Sequence, residues 1–380
     1  MTTTPQLLSA DDQLRLDQFL DQARAEAHRY LGYPAAKDLD YQLLQACLGL
    51  PLNNIGDPFA VGTWKVDSHS FEREVLAFFA GLLRAPADAW WGYVTNGGTE
   101  GNLYGLYLAR ELYPNGIVYF SQDTHYSVSK NVHFLNMRHI MIRSQGNGEI
   151  DYEDLNETLK IHRDVPPIIF ANIGTTMTEA KDDISRIQTM MKQLAIPNYY
   201  IHSDAALAGA IAPFLDPRPP FDFADGADSI SISGHKFLGS PIPCGIVLAR
   251  KAHVDRIARS IAYIGNLDTT VTGSRNGLTP LILWQKIKSL GIDGLRQRVE
   301  QSLALTAHAE QRLRSAGIAV WRNPGAITLV FPSPSQALIE RWQLASSQGI
   351  SHMILVPGID MDQVDQFIDE LVAETAKENC

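Results

Sequence analysis

The chain has 380 residues, 45% of them hydrophobic and 19% charged, which describes a folded protein with a sizeable core and excludes disordered and fibrous classes. Its 32 Lys plus Arg stand against 42 Asp plus Glu, and a net charge of −10 argues against nucleic acid or an anionic membrane as partner. No apolar run approaches the roughly 20 residues that span a bilayer. The polar N-terminus shows no signal-peptide pattern. Cys47, Cys244 and Cys380 fit neither a zinc spacing nor a disulfide framework, so a cytoplasmic protein without a metal is expected.

In chain order, the first 50 residues read as a helical arm that turns irregular around Leu31-Gly32-Tyr33-Pro34, ahead of a large domain over 51–280. There, a strand at 91–95 runs into Asn96-Gly97-Gly98-Thr99-Glu100-Gly101-Asn102, after which Leu103, Leu106, Tyr107 and Arg110 recur at helical spacing. A strand, a glycine-rich turn and a helix start bring the N–H groups of Gly98 and Thr99, the Thr99 hydroxyl and the helix dipole to bear on a phosphate. Further strands are predicted at 117–120, 140–142, 168–171, 199–201, 229–232 and 246–248, with helical patterns between several of them, as at 183–194. This alternation predicts an α/β fold, a mostly parallel central sheet with helices on both faces. Sites in such sheets collect at the carboxyl ends of strands. Thr99, His125, Thr175, Asp204 and Lys236 all fall just past predicted strands, so one crevice gathers them. From about Pro280 the pattern changes. A long helical stretch runs through Trp284, Ile287 and Leu290 and on over 295–313, followed by strands at 318–320, 327–330 and 352–356. A final amphipathic helix carries Val364, Phe367, Ile368 and Leu371, and together these predict a smaller α+β domain over 281–380.

Two residues specify a chemistry. Lys236, in Ser231-Ile232-Ser233-Gly234-His235-Lys236-Phe237, closes a β-like run ahead of Gly239-Ser240-Pro241-Ile242-Pro243. There its amine is presented for imine formation, with His235 beside it and the Ser233 hydroxyl upstream to meet a phosphate. Asp204, in Ile201-His202-Ser203-Asp204-Ala205-Ala206, places an acid where it keeps a pyridine nitrogen protonated as an electron sink. Taken singly, they read as a solvated surface amine and a turn or cap residue. In combination they suit pyridoxal 5'-phosphate.

Asn96-Gly97-Gly98-Thr99-Glu100-Gly101-Asn102, Thr124-His125-Tyr126-Ser127-Val128, Asn172-Ile173-Gly174-Thr175-Thr176, His202-Ser203-Asp204-Ala205-Ala206, Ser233-Gly234-His235-Lys236 and Gly273-Ser274-Arg275-Asn276-Gly277 follow one another in order. Together they resemble the group II pyridoxal-phosphate-dependent amino-acid decarboxylases, in the branch of bacterial histidine and plant serine decarboxylases. The resemblance implies fold-type I and a homodimer with its active site at the subunit boundary. It also implies that Lys236 binds the cofactor as an internal imine, Asp204 pairs with the pyridine nitrogen, Ala206 packs on one ring face and His125 stacks on the other. Gly98, Thr99, Ser233 and His235 then neighbour the phosphate, and Thr175 the ring substituents. A mobile loop over 263–272 positions the acid that reprotonates the α-carbon, with Tyr263 at its start. The tyrosine that some relatives carry within this loop is missing from Gly265-Asn266-Leu267-Asp268-Thr269-Thr270.

The implied reaction is α-decarboxylation of an L-amino acid. Ile169-Phe170-Ala171-Asn172 and Pro241-Ile242-Pro243-Cys244-Gly245 resemble the histidine enzymes and put L-histidine, giving histamine, first. Gly56-Asp57-Pro58-Phe59 and His352-Met353-Ile354-Leu355-Val356-Pro357 resemble the serine enzymes, which give ethanolamine. Tyr33 and Val356 are the candidate substrate-pocket residues. An imidazole needs a roomier site with hydrogen-bond partners, a serine side chain a small polar one. Another fold-type I reaction, such as transamination, keeps the lysine and aspartate and adds an arginine for the substrate carboxylate. Arg275 is the candidate for that contact, with an ion pair or helix cap as its alternative.

Overall fold

Nearly every position of the central strands is buried, the serines of 229–233 included, so each strand needs cover on both faces. A computed structural model, which describes residues 8–378, supplies that cover. The strands are β1 (Trp90–Thr95), β2 (Ile117–Ser121), β3 (Arg138–Ile142), β4 (Pro167–Asn172), β5 (Tyr200–Asp204), β6 (Ser229–Ser233) and β7 (Gly245–Arg250). They form one sheet in the order β1-β7-β6-β5-β4-β2-β3. β7 runs antiparallel to β1 and β6, and the other neighbours pair in parallel.

The N-terminal helix is α1 (Ala10–Ala27), followed by α2 (His69–Leu82), α3 (Gly98–Leu112), α4 (Ser127–Phe134), α5 (Tyr152–Ile161) and α6 (Ile184–Gln193). The period of two along each strand sorts side chains between two cores. Val118, Phe120, Ile168 and Phe170 join Tyr104 and Leu108 of α3 and Val128 of α4. Ile117, Tyr119, Ile169 and Ala171 join Val75 and Phe79 of α2, Leu155 of α5 and Ile187 of α6. Glycines let α3 lie directly on the sheet. A Cβ added at Gly101 would stand 2.2 Å from Ser231 Oγ, and one at Gly105 2.2 Å from His202 Nδ1.

After the single turn α7 (Lys251–Val254) comes a hairpin, β8 (Arg259–Ile261) paired with β9 (Asn266–Asp268), whose turn and second strand open the 263–272 segment. Long-range bonds tie it down. Asp57 N–H donates to Leu267 O at 3.0 Å and Tyr104 OH to Thr269 O at 2.7 Å. Helix α8 (Leu278–Ser315) is broken at Gly291, whose φ of 63° and ψ of −167° interrupt the helical path. Its end corrects another expectation, because 318–320 is not a strand. Gly317 takes φ 77°, and the Gly317 and Ile318 amides bond back to Arg314 O and Leu313 O, so the segment closes the helix rather than joining a sheet.

The second sheet has the order β10 (Thr328–Pro332), β12 (Ile350–Ile354), β11 (Ala345–Ser347), with α9 (Gln336–Arg341) between β10 and β11. α10 (Met361–Glu378) closes the fold, burying Val364, Phe367, Ile368 and Leu371 as its sequence pattern predicts. No helix among the described residues is long and apolar enough to cross a membrane. Cys47 and Cys244 are free, and Cys380 lies outside the described residues.

Candidate active site

Parallel pairing brings strand ends into line. β4 ends at Asn172, opposite Asp204 of β5, and Asp204 stands opposite Ser231 of β6, two residues before Ser233. A cavity of about 500 Å³ opens at this edge. Gly98 and Thr99 at the head of α3, Asp204 and Ala206 after β5, and Ser233, His235 and Lys236 after β6 all line it. His125 and Thr175 contribute from the turns after β2 and β4, and Tyr33 from the N-terminal segment.

Among the described residues the Lys236 Nζ makes no hydrogen bond or ion pair with the protein, so the amine is uncommitted. Burial lowers its pKa below the ordinary lysine value, partly offset by the negative charge of Asp204. The Asp204 carboxylate is held at both oxygens, Oδ2 accepting from Asn102 Nδ2 at 2.8 Å and Oδ1 from the Ala206 N–H at 3.1 Å. His125 is fixed by a 2.8 Å bond between Nδ1 and Ser127 Oγ, and burial lowers its pKa first, ahead of the opposing pull of Asp204. His235 Nδ1 bonds Cys244 O at 2.9 Å, and burial likewise depresses its pKa.

The head of α3 follows from its sequence. Gly97 takes φ 149°, which glycine accommodates best. Glu100 in the first turn accepts the Asn96 N–H at 2.9 Å and the Tyr93 hydroxyl at 2.9 Å. Glu100 thereby fixes the turn while the opening amides of the helix stay free of intrahelical partners. Asn131 Nδ2 donates to Thr99 O at 3.1 Å, tethering α4 to this end. The Thr175 hydroxyl is spent on its own turn, accepting the Ala180 N–H at 2.9 Å and lying 2.9 Å from Thr178 Oγ1.

This donor set fits pyridoxal phosphate. An open amine suits the carbonyl, a carboxylate with both oxygens held suits the ring nitrogen, and a helix head suits the phosphate. The space is also specific, since a Cβ at Gly98 would lie 2.7 Å from Ser233 Oγ and 3.2 Å from Ala206 Cβ, filling the cradle.

The opposite wall comes from the two ends of the chain. Leu31 N–H donates to Trp342 O at 3.1 Å and Gly32 N–H to Gln343 O at 3.2 Å, while His352 Nε2 lies 3.0 Å from Gly32 O. Ala36 N–H then donates to Lys236 O at 3.2 Å. Residues 31–36 thus strap the second sheet to the lysine turn. Sequence reasoning missed Asn102, Asn172, Ala345, His352 and Ile354 as lining residues. Asn102, one helical turn past Thr99, and Asn172, the last residue of β4, carried a usable signal.

Two expected residues do not reach the cavity. Val356 is buried in the core, because its N–H turns back to Ile354 O at 3.0 Å and takes the chain off the strand. Tyr263 sits in the β8–β9 turn and is 87% exposed. Arg275 does not line the cavity either. It is buried in an ion pair with Glu72, the alternative weighed for it above.

A mostly parallel sheet whose strand ends surround a free lysine, a braced carboxylate and an open helix head defines a fold-type I pyridoxal-phosphate enzyme. The chain belongs to the pyridoxal-dependent decarboxylases, matching the conserved domain of that family over residues 72–321. It is a pyridoxal-phosphate-dependent amino-acid decarboxylase. It is 52% identical to a histidine decarboxylase of Mesorhizobium japonicum over 365 residues, covering 96% of this chain and 99% of that one. A histidine decarboxylase of Morganella morganii is 47% identical over 370 residues, covering 97% and 98%. Among solved structures, an L-methionine decarboxylase from Streptomyces sp.590 superposes with a TM-score of 0.88 at 27% identity, covering 97% of this chain and 96% of that one.

Proposed function

We propose that this enzyme converts L-histidine to histamine and carbon dioxide. The observation that carries the reading is 52% identity to a histidine decarboxylase over 96% of the chain. The cavity, at about 500 Å³, falls in the ordinary range for sites that enclose a small ligand.

When bound, the cofactor supplies a carbonyl for the substrate amine and a ring that accepts the electron pair left as carbon dioxide departs. Lys236 would hold the cofactor through its amine, and its lowered pKa keeps more of that amine in the nucleophilic free form near neutrality. Asp204 holds a proton at the ring nitrogen by the charge it places beside it. Gly98 and Thr99 offer the phosphate the head of α3, with Ser233 and His235 close by. His125 and Ala206 would bracket the ring, and Thr175 would brace the wall near its substituents. Neutral His125 covers one face without adding a positive charge of its own.

The working unit in this reading is a homodimer. α1 buries none of its residues in this chain, yet Leu16, Phe19 and Leu20 recur at helical spacing and are exposed, as expected of a helix that packs on a second copy. Tyr263, with no hydrogen bond among the described residues and outside this cavity, would act from the β8–β9 turn on the neighbouring subunit. The free Cys47 and Cys244 suit a reducing compartment such as the cytoplasm.

The test is amine and carbon dioxide release by cofactor-loaded protein offered L-histidine, L-serine and L-methionine in parallel. Histamine as the main amine supports the reading. Ethanolamine or another amine in its place overturns the substrate assignment.

A further inference from the structure

Behind Asp204 lies a run of buried polar groups that the proposed chemistry does not itself use. Asn102 Nδ2 is 2.8 Å from Asp204 Oδ2, Asn102 Oδ1 is 2.9 Å from His202 Nε2, and His202 Nδ1 is 2.7 Å from Ser229 Oγ. Tyr200 OH donates to the same Ser229 Oγ at 2.9 Å. All four side chains are buried.

The chemistry of each group fixes the sense of every bond. A carboxylate only accepts, so Asn102 presents its NH₂ to Asp204 and its carbonyl to His202. That carbonyl only accepts, so His202 carries its proton on Nε2. Ser229 Oγ accepts from the Tyr200 O–H and donates its own O–H to His202 Nδ1, the acceptor nitrogen of a neutral imidazole. Burial independently pushes the His202 pKa down to about 3, in agreement with a neutral ring. Every donor therefore points towards Asp204, and bonds aligned in one sense polarise one another. Gly105 makes the arrangement possible, since any Cβ there would run into the His202 ring.

We infer that Tyr200, Ser229, His202 and Asn102 form a one-way hydrogen-bond relay that ends on Asp204, making Asn102 and His202 positioning residues for the carboxylate that serves the cofactor ring nitrogen. The inference rests on the reading of Asp204 as the partner of that nitrogen. Asn102 orients the carboxylate and stabilises its charge; His202 locks the Asn102 amide in the one orientation that donates.

The test compares two cofactors. Full-length protein stripped of cofactor is titrated with pyridoxal phosphate and with its analogue bearing a C–H group in place of the ring nitrogen, and the ratio of the two dissociation constants is read. Both ligands share phosphate, carbonyl and ring shape, so a merely loosened site weakens both and leaves the ratio alone. Asn102→Leu and His202→Leu are expected to shrink the preference for pyridoxal phosphate by about tenfold, the scale of one hydrogen bond to a charged group. His202→Gln, whose amide still donates to Asn102, is expected to keep most of it, and the His202 pair carries the test should Asn102→Leu fail to fold. An unchanged ratio in both leucine variants, with the preference abolished in Asp204→Asn, overturns the relay alone. An unchanged ratio in Asp204→Asn overturns the reading of Asp204 itself.

Discussion

Arg275 and Glu72 close on each other inside the protein, guanidinium Nη1 against carboxylate Oε1, with the two side chains 2% and 0% exposed. The same carboxylate accepts Val94 N–H at 2.8 Å and Asn54 Nδ2 at 2.7 Å, and Arg275 Nη2 donates to Gly56 O at 3.1 Å. The pair thus fastens α2, β1 and the 54–56 segment to the approach of α8. The arginine is therefore committed to the core, and the cavity is lined by other residues.

Breaking that pair from one side strands a buried charge. Arg275→Leu should cost about 3–5 kcal/mol of stability by urea denaturation, with a smaller loss in Glu72→Gln. The KM for the amino acid in the folded fraction should hold. A raised KM at undiminished stability would return Arg275 to the substrate site.

Lys236→Ala should remove the visible absorbance of the bound cofactor and lower turnover by more than about a thousandfold. Because burial lowers the Lys236 pKa, the rate at which stripped protein takes up cofactor should rise with pH and level off below the 10.5 of a free lysine. A midpoint at or above 10.5 would show the amine to be solvated or held charged.

Alanine usually strengthens a helix relative to glycine by about 1 kcal/mol. At Gly105 the sign should reverse, because the new Cβ would stand 2.2 Å from His202 Nδ1 with the ring walled in by Phe170, 5.1 Å away between ring centres. Overpacking of this kind costs about 1–3 kcal/mol, which a lowered Tm would report. A stabilised Gly105→Ala would mean that α3 lifts off the sheet without penalty.

His202 ties stability to acid. Its folded pKa, near 3, lies below the unfolded value of 6.5, so the unfolded chain takes up a proton first as pH falls. Its contribution is therefore full above pH 6.5 and is lost on the way down to about pH 3, with a slope of about 1.4 kcal/mol per pH unit inside that window. His202→Gln should flatten the profile by that slope in denaturation series between pH 6 and 4. Parallel profiles for the two proteins would show that the histidine is protonated in place.

Much of this was legible in the sequence because it is local. Strands at period two, a glycine turn feeding α3, and Lys236 and Asp204 at strand ends all announce themselves within a few residues. What escaped depends on distant pairing. His352 reaches the cavity through a partner 320 positions away, Gly32. The β8–β9 hairpin is pinned by Asp57, and Val356 is lost to a turn that no periodicity signals. Asn102 was the avoidable omission, since a helical step from Thr99 points to it.

The cavity's two walls have separate origins. One is strand ends and the glycine-seated α3, whose backbone lies directly against the side chains of Ser231, Ser233 and His202, with little freedom to shift. The other is stitched from residues 32–35, Ala345, His352 and Ile354, drawn from opposite ends of the chain. A change of diet would then require no change of engine: substitutions in the terminal strap should retailor what fits beside Lys236 and leave the strand-end wall as it is.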